Sequence, residues 1–251
     1  MTPSSAGWRD YATEGALLAV FMVSACAFTI LVEHPRGLLS PLVSEPVGRR
    51  FVVGVAMAIT AAVLIYSRPG RRTGAHMNPA VTLALSRLGS MPRRQVLGYI
   101  AGHFAGGIVG VASAVLLFGP ALSHASVNFV VTRPGPAGAG PAFIAECAMT
   151  LVMMSTVLRL SNHPRWSSYT GLASAALLAG FITLVAPLSG MSLNPARTLG
   201  PALFANDYSS LWVYFVAPPA GMFLAVFAFT WQCRSGACPH GFHGARYEHT
   251  V

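Results

Sequence analysis

The sequence predicts an all-α membrane protein with six transmembrane helices and two half-membrane re-entrant helices in an inverted 3+3 repeat. Three observations predict it. First, hydrophobic residues make up 54% of the 251 residues and charged residues only 9%, whereas soluble domains carry about a quarter charged residues. A chain so poor in charge cannot cover a water-facing surface, so lipid is its solvent. Second, six apolar runs approach or exceed the ~20 residues needed to cross a bilayer. Third, Asn-Pro-Ala occurs twice, at Asn78-Pro79-Ala80 and Asn194-Pro195-Ala196, at corresponding places in two halves.

The elements follow in order. Spans are expected near 12–32, 51–67, 95–118, 142–160, 169–188 and 211–231. Their continuous Ala, Leu, Val and Gly content does not alternate as lipid-facing barrel strands do. Segments 79–88 and 195–204 are apolar but short. Each begins with Pro after Asn, which suits a helix start: Asn caps, and Pro is tolerated where the N–H has no helical partner. Ten helical residues span only ~15 Å, so these segments enter the membrane without crossing it. Glu14, span two, Gly74-Ala75-His76 and Asn78 in the first half match Glu146, span five, Gly190-Met191-Ser192 and Asn194 in the second. Three spans per half place the halves in opposite senses, with the site near the midplane. The breaker-rich segment 133–141 joins them.

All 16 basic residues are arginine against 7 acidic residues, a formal charge of +9. The arginines sit at the ends of apolar runs without the aromatic interleaving that suits base stacking, so they read as juxtamembrane charge and nucleic acid is not an expected partner. Eleven fall on the side of the N-terminus, four on the other, and Arg197 is left to the site. This asymmetry places both termini in the cytoplasm. The N-terminus lacks a basic region followed by a short apolar stretch and cleavage site, so the first run is read as a retained span. Cys26 and Cys147 fall inside spans and read as small core residues. Cys233, Cys238, His240 and His243 lie close together in the tail 233–251. Such ligands could hold zinc, but their spacing is not that of a standard finger, so a polar tail is expected and no metal or other cofactor.

The strings Gly74-Ala75-His76-Met77-Asn78-Pro79-Ala80-Val81-Thr82 and Ser192-Leu193-Asn194-Pro195-Ala196-Arg197 closely resemble the two pore loops of the aquaporin (major intrinsic protein) family. The resemblance covers about residues 10–232. It implies an aquaporin-like domain at 1–232, with repeats of about 10–118 and 142–232, in the plasma membrane and as a homotetramer. It implies a passive channel for water and small uncharged solutes, of the glycerol or undissociated metalloid-acid type. Two half-helix N-termini, each with about half a positive charge, with Asn78 and Asn194 as donors, would orient a neutral solute and repel cations and protons. Arg197 would guard the outer mouth. Glu14 and Glu146 would support the loops by accepting backbone N–H groups that have no helical partner. Gly74, Ala75, His76, Gly190 and Ser192 would line the passage.

Family spacing places the selectivity filter at Ala58 (or Ile59), Ile182, Met191 and Arg197. An aromatic and a His at the first two places would mark a strict water channel. Their replacement by aliphatic residues points to a wider passage, in the manner of plant and bacterial channels that carry larger neutral solutes. Thr198, where glycerol channels have Asp, together with Ala202, Tyr214 and Phe215, points back toward water. The competing class is a coupled secondary transporter, which also uses inverted repeats and broken helices but needs intramembrane groups for a driving ion. An enzyme is not expected, because no Ser-His-Asp, Cys-His or metal-ligand set converges within the spans.

Overall fold

The computed structural model describes residues 7–235. Cys238, His240 and His243 of the tail lie outside the described residues. Among those described, every regular element is helical, and six helices are long and apolar enough to cross a membrane. The long helices are α1 (Trp8–Glu33), α2 (Pro46–Tyr66), α5 (Arg93–Phe118), α7 (Ala139–Ser161), α8 (Thr170–Leu184) and α11 (Leu211–Arg234). The shorter ones are α3 (Arg68–Thr73), α4 (Pro79–Leu88), α6 (Pro120–Ser123), α9 (Ala186–Ser189) and α10 (Pro195–Ala205).

The half-helices α4 and α10 start at the prolines of the two Asn-Pro-Ala triplets, with Asn78 and Asn194 as N-caps. The expected fifth span is shorter than its hydropathy suggests. Helix α8 ends at Leu184, and the chain makes the separate turn α9 before the second loop. Helix α3 makes the matching turn before the first loop. Hydropathy cannot register α9, because the chain bends there inside an apolar run, whereas the three arginines of α3 close the second run before the first loop.

Helix α1 packs on α5, α7 on α11, and α2 on α8. Lipid supplies no hydrophobic drive between helices, so close backbone approach carries much of the packing. A Cβ at Gly106 would stand 2.1 Å from the Gly15 carbonyl oxygen, and one at Gly221 2.1 Å from that of Cys147. These positions join α1 to α5 and α7 to α11. A Gly106→Ala substitution must therefore separate two backbones. Overpacking costs about 1–3 kcal/mol, and a lowering of the thermal midpoint of the solubilised protein by about 5–10 °C is expected. Gly180→Ala, where nothing lies within 4 Å, is the comparison that should leave the midpoint in place.

The two halves interlock. Ala80, Ala84 and Leu85 of α4 are buried with Met154 and Leu158 of α7 and Met222 of α11. Ala196 of α10 is buried with Leu18 and Met22 of α1 and Val111 of α5. Each half-helix thus completes the core of the opposite repeat, and their N-terminal ends meet in the interior.

Candidate functional site

The two loops before α4 and α10 share one backbone path. Gly74 and Gly190 are left-handed, and so are Ala75, Met77, Met191 and Leu193. Left-handed geometry costs a non-glycine residue roughly 1–2 kcal/mol and persists only where its surroundings over-determine it. Two buried carboxylates supply that hold. Glu14 accepts the backbone N–H of His76 at 3.1 Å and of Met77 at 2.6 Å, and His103 Nε2 lies 2.9 Å from it. Glu146 accepts the N–H of Ser192 at 2.8 Å and of Leu193 at 2.7 Å, with the Ser189 hydroxyl at 2.8 Å. A second tether is also duplicated. The Tyr99 hydroxyl donates to the Thr73 carbonyl at 3.0 Å, and the Tyr214 hydroxyl to the Ser189 carbonyl at 2.6 Å. Sequence reasoning missed Thr73 and Ser189. The available signal was a hydroxyl residue immediately before the loop glycine in both repeats.

Each Asn side chain performs two tasks. Its oxygen caps its own half-helix: Asn78 Oδ1 accepts from Ala80 N at 2.8 Å, and Asn194 Oδ1 from Ala196 N at 3.0 Å and Arg197 N at 3.2 Å. Its nitrogen reaches across to the other repeat, from Asn78 Nδ2 to the Leu193 carbonyl at 2.8 Å and from Asn194 Nδ2 to the Met77 carbonyl at 2.7 Å. An amide NH2 has two hydrogens, so each Asn keeps one donor beyond its cross-bond. Both residues line a cavity of about 250 Å³ between the repeats.

Ala75, His76, Gly190, Met191, Ser192, Ile182 and Arg197 also line this cavity. The His76 ring contacts the Thr82 hydroxyl at 2.9 Å, and Ser192 bridges to the Asn194 carbonyl and to Thr198. Pro79, Ala80, Pro195 and Ala196 are buried behind the lining and start the half-helices. Two positions need correction. Gly74 does not line the cavity; it closes α3 in a left-handed cap. Ala58 is absent from the wall too, and the alternative Ile59 is 60% exposed on the outer face. Helix α2 presents Val53, Met57, Ala61 and Ile65 inward at four-residue spacing. Successive residues lie about 100° apart around a helix, so a register error of one residue takes a side chain off the wall.

The Arg197 guanidinium is held by the Val130 carbonyl at 3.1 Å and by the Thr132 hydroxyl. Both belong to the segment joining the repeats, where Asn128, Phe129 and Val130 all have positive φ. Nothing in the linear pattern marked these residues, because their role depends on a segment returning over the cavity mouth.

The family model for the major intrinsic protein matches residues 3–229. The chain belongs to that family. Among its relatives, it is 35% identical over 187 residues to the probable aquaporin AqpM of Archaeoglobus fulgidus, covering 73% of this chain and 75% of that protein. It is 34% identical to the glycerol uptake facilitator protein-like 6 of Lactiplantibacillus plantarum, covering 72% and 84%. It is 33% identical to aquaporin NIP1-1 of Oryza sativa subsp. japonica, where the match spans 70% of this chain and 61% of the plant protein. The solved aquaglyceroporin from Plasmodium falciparum superposes with a TM-score of 0.72 over 89% of this chain and 96% of that one, at 20% identity. The fold of this major intrinsic protein is therefore that of the aquaporin-type channels.

Proposed function

We propose that this protein is a passive membrane channel for water and small uncharged solutes that excludes ions and protons. The observation that carries this reading is the meeting of two half-helix N-termini, with Asn78 and Asn194 each retaining a donor toward the cavity. A solute oxygen there meets two donors and the positive ends of two helices, while a cation meets the same field with no acceptor to compensate. Relatives named as an aquaporin and as a glycerol uptake facilitator support the same class.

The outer filter in this proposal is Val53, Ile182, Met191 and Arg197. Three apolar side chains and one cation form a passage wider and less polar than an aromatic–His filter would. Such a wall suits glycerol-like polyols or undissociated metalloid acids, whose hydroxyls face Arg197 and whose remaining surface faces the aliphatic side. Glu14 and Glu146 act as loop supports. Each already has three donors, which argues against their binding a driving ion in a coupled transporter. The arginine asymmetry supports cytoplasmic termini, and a plasma-membrane location is proposed on the family resemblance. The exposed apolar stripe Phe51, Val55, Ile59 and Val63 on α2 suits lipid or a neighbouring subunit of a homotetramer.

Light scattering from proteoliposomes tests the reading. Osmotic shrinkage faster than in empty vesicles is expected, as is glycerol entry independent of a proton gradient. Shrinkage at the rate of empty vesicles overturns the channel, and gradient-driven uptake favours the coupled transporter. Val53→Phe with Ile182→His should reduce glycerol flux by at least about tenfold, an effect of about 1.4 kcal/mol, and reduce water flux less. Unchanged glycerol flux would remove Val53 and Ile182 from the filter.

A further inference from the structure

The acidic residues divide unequally between the two ends of the bundle. Glu14 and Glu146 are buried inside. On the face that carries the α1–α2 connection, Arg49 meets Glu33 at 3.3 Å and Arg133 meets Asp207. On the opposite face, Asp10 is the one acid among the described residues, and Arg72 engages it at 3.2 Å. Most of the arginines stand on that face, and the remaining ion pair among the described residues is the interior His103–Glu14 contact.

Three of these arginines share a built setting at the end of α2 and the turn before α8. The Tyr66 hydroxyl donates to the Ser168 carbonyl at 2.7 Å and accepts the Leu172 N–H at 3.1 Å, which ties the two elements together. The Arg71 guanidinium carbon lies 5.7 Å from the centre of the Tyr66 ring. Arg68 is one turn earlier on α3, and Arg165 precedes Trp166, whose ring lies 5.7 Å from that of Tyr169. Arg68, Arg71 and Arg165 are exposed, and Trp166 and Tyr169 are about half exposed. Trp and Tyr favour the headgroup level of a bilayer. On the membrane side of this level, Val63 and Leu172 are 63% and 51% exposed.

We propose that this patch binds the headgroup of an anionic phospholipid, with Arg68, Arg71 and Arg165 meeting the phosphate. Guanidinium groups without a carboxylate partner among the described residues match a phosphate in charge and in hydrogen-bonding geometry. Trp166 and Tyr169 pack at the glycerol-ester level, and the acyl chains follow the apolar faces at Val63 and Leu172. That continuity of charge, aromatic ring and apolar surface selects a lipid over free phosphate, which has no use for the apolar part. The proposal depends on membrane placement alone and not on which solute is conducted.

The test is lipid retention by the purified full-length protein in detergent, read by native mass spectrometry. Phosphatidylglycerol is titrated against phosphatidylcholine with the same acyl chains. Three basic residues near an anionic headgroup correspond to a preference on the order of a hundredfold. The wild type should retain phosphatidylglycerol with that preference, and Arg68→Gln/Arg71→Gln/Arg165→Gln should lose most of it. Arg87→Gln/Arg93→Gln/Arg94→Gln removes the same charge from the same face and should keep it. Equal loss from the two triple variants would show bulk charge rather than a site and overturns the proposal. Displacement of the lipid by millimolar inorganic phosphate overturns the choice of a lipid. Retained water flux in phosphatidylcholine vesicles checks that the variants are folded.

Discussion

Replacing Glu146 with Ala is expected to abolish water flux and to destabilise the fold severely. The carboxylate accepts two backbone N–H groups and the Ser189 hydroxyl, and its own exposure is 0%. Removal leaves buried donors without acceptors at about 1–3 kcal/mol each, and it releases Met191 and Leu193 from left-handed backbone that they hold only under constraint. The total is comparable with the whole net stability of an ordinary domain. A thermal midpoint lower by about 10–20 °C is expected, with water flux at the level of empty vesicles. Glu146→Gln keeps one acceptor oxygen but turns an amide N–H toward one of the donors, so it should fall between wild type and Ala. Glu14→Ala should behave alike, because Glu14 serves the first loop in the same way. Size-exclusion chromatography after heating measures the midpoint, and wild-type stability in Glu146→Ala would show that the loops hold themselves.

The second large effect is expected at Arg197. With the guanidinium facing the cavity, a monovalent cation 5 Å away is opposed by about 3 kcal/mol at an effective dielectric of 20, roughly a hundredfold in rate. Arg197→Met should raise proton and cation leak by about that factor while water flux stays within a few-fold. The half-helix ends and the two Asn donors remain, so the leak should not reach that of an open pore. Thr132→Ala removes one of the two side-chain contacts of Arg197 and should give a smaller leak of the same kind. A pH-sensitive dye trapped in proteoliposomes reads the proton flux. If Arg197→Met leaks no more than wild type, exclusion rests on the half-helices alone.

The legibility of this protein varies with the range of the interaction. The two half-helix starts were legible to the residue, because Asn-Pro is a local capping signal that acts within one turn. Glu14 and Glu146 were legible because a carboxylate in an apolar run demands a partner, although the loop N–H partners are 62 and 46 residues away. Of the residues expected to form the filter, Ile182, Met191 and Arg197 line the cavity and Ala58 does not; its neighbour Met57, about 100° away around the helix, does.

Composition, the two Asn-Pro-Ala triplets and the buried glutamates by themselves determined a six-span bundle with two facing half-helices. These features follow from solvent, capping and charge burial, which act locally or on averages. Tertiary structure alone decided that each half-helix packs in the core of the other repeat, that Asn78 and Asn194 bond across the repeats, and that Val130 and Thr132 hold Arg197. The physical reason is that directional hydrogen bonds and close packing depend on where distant segments meet, and no local pattern in the chain carries that information.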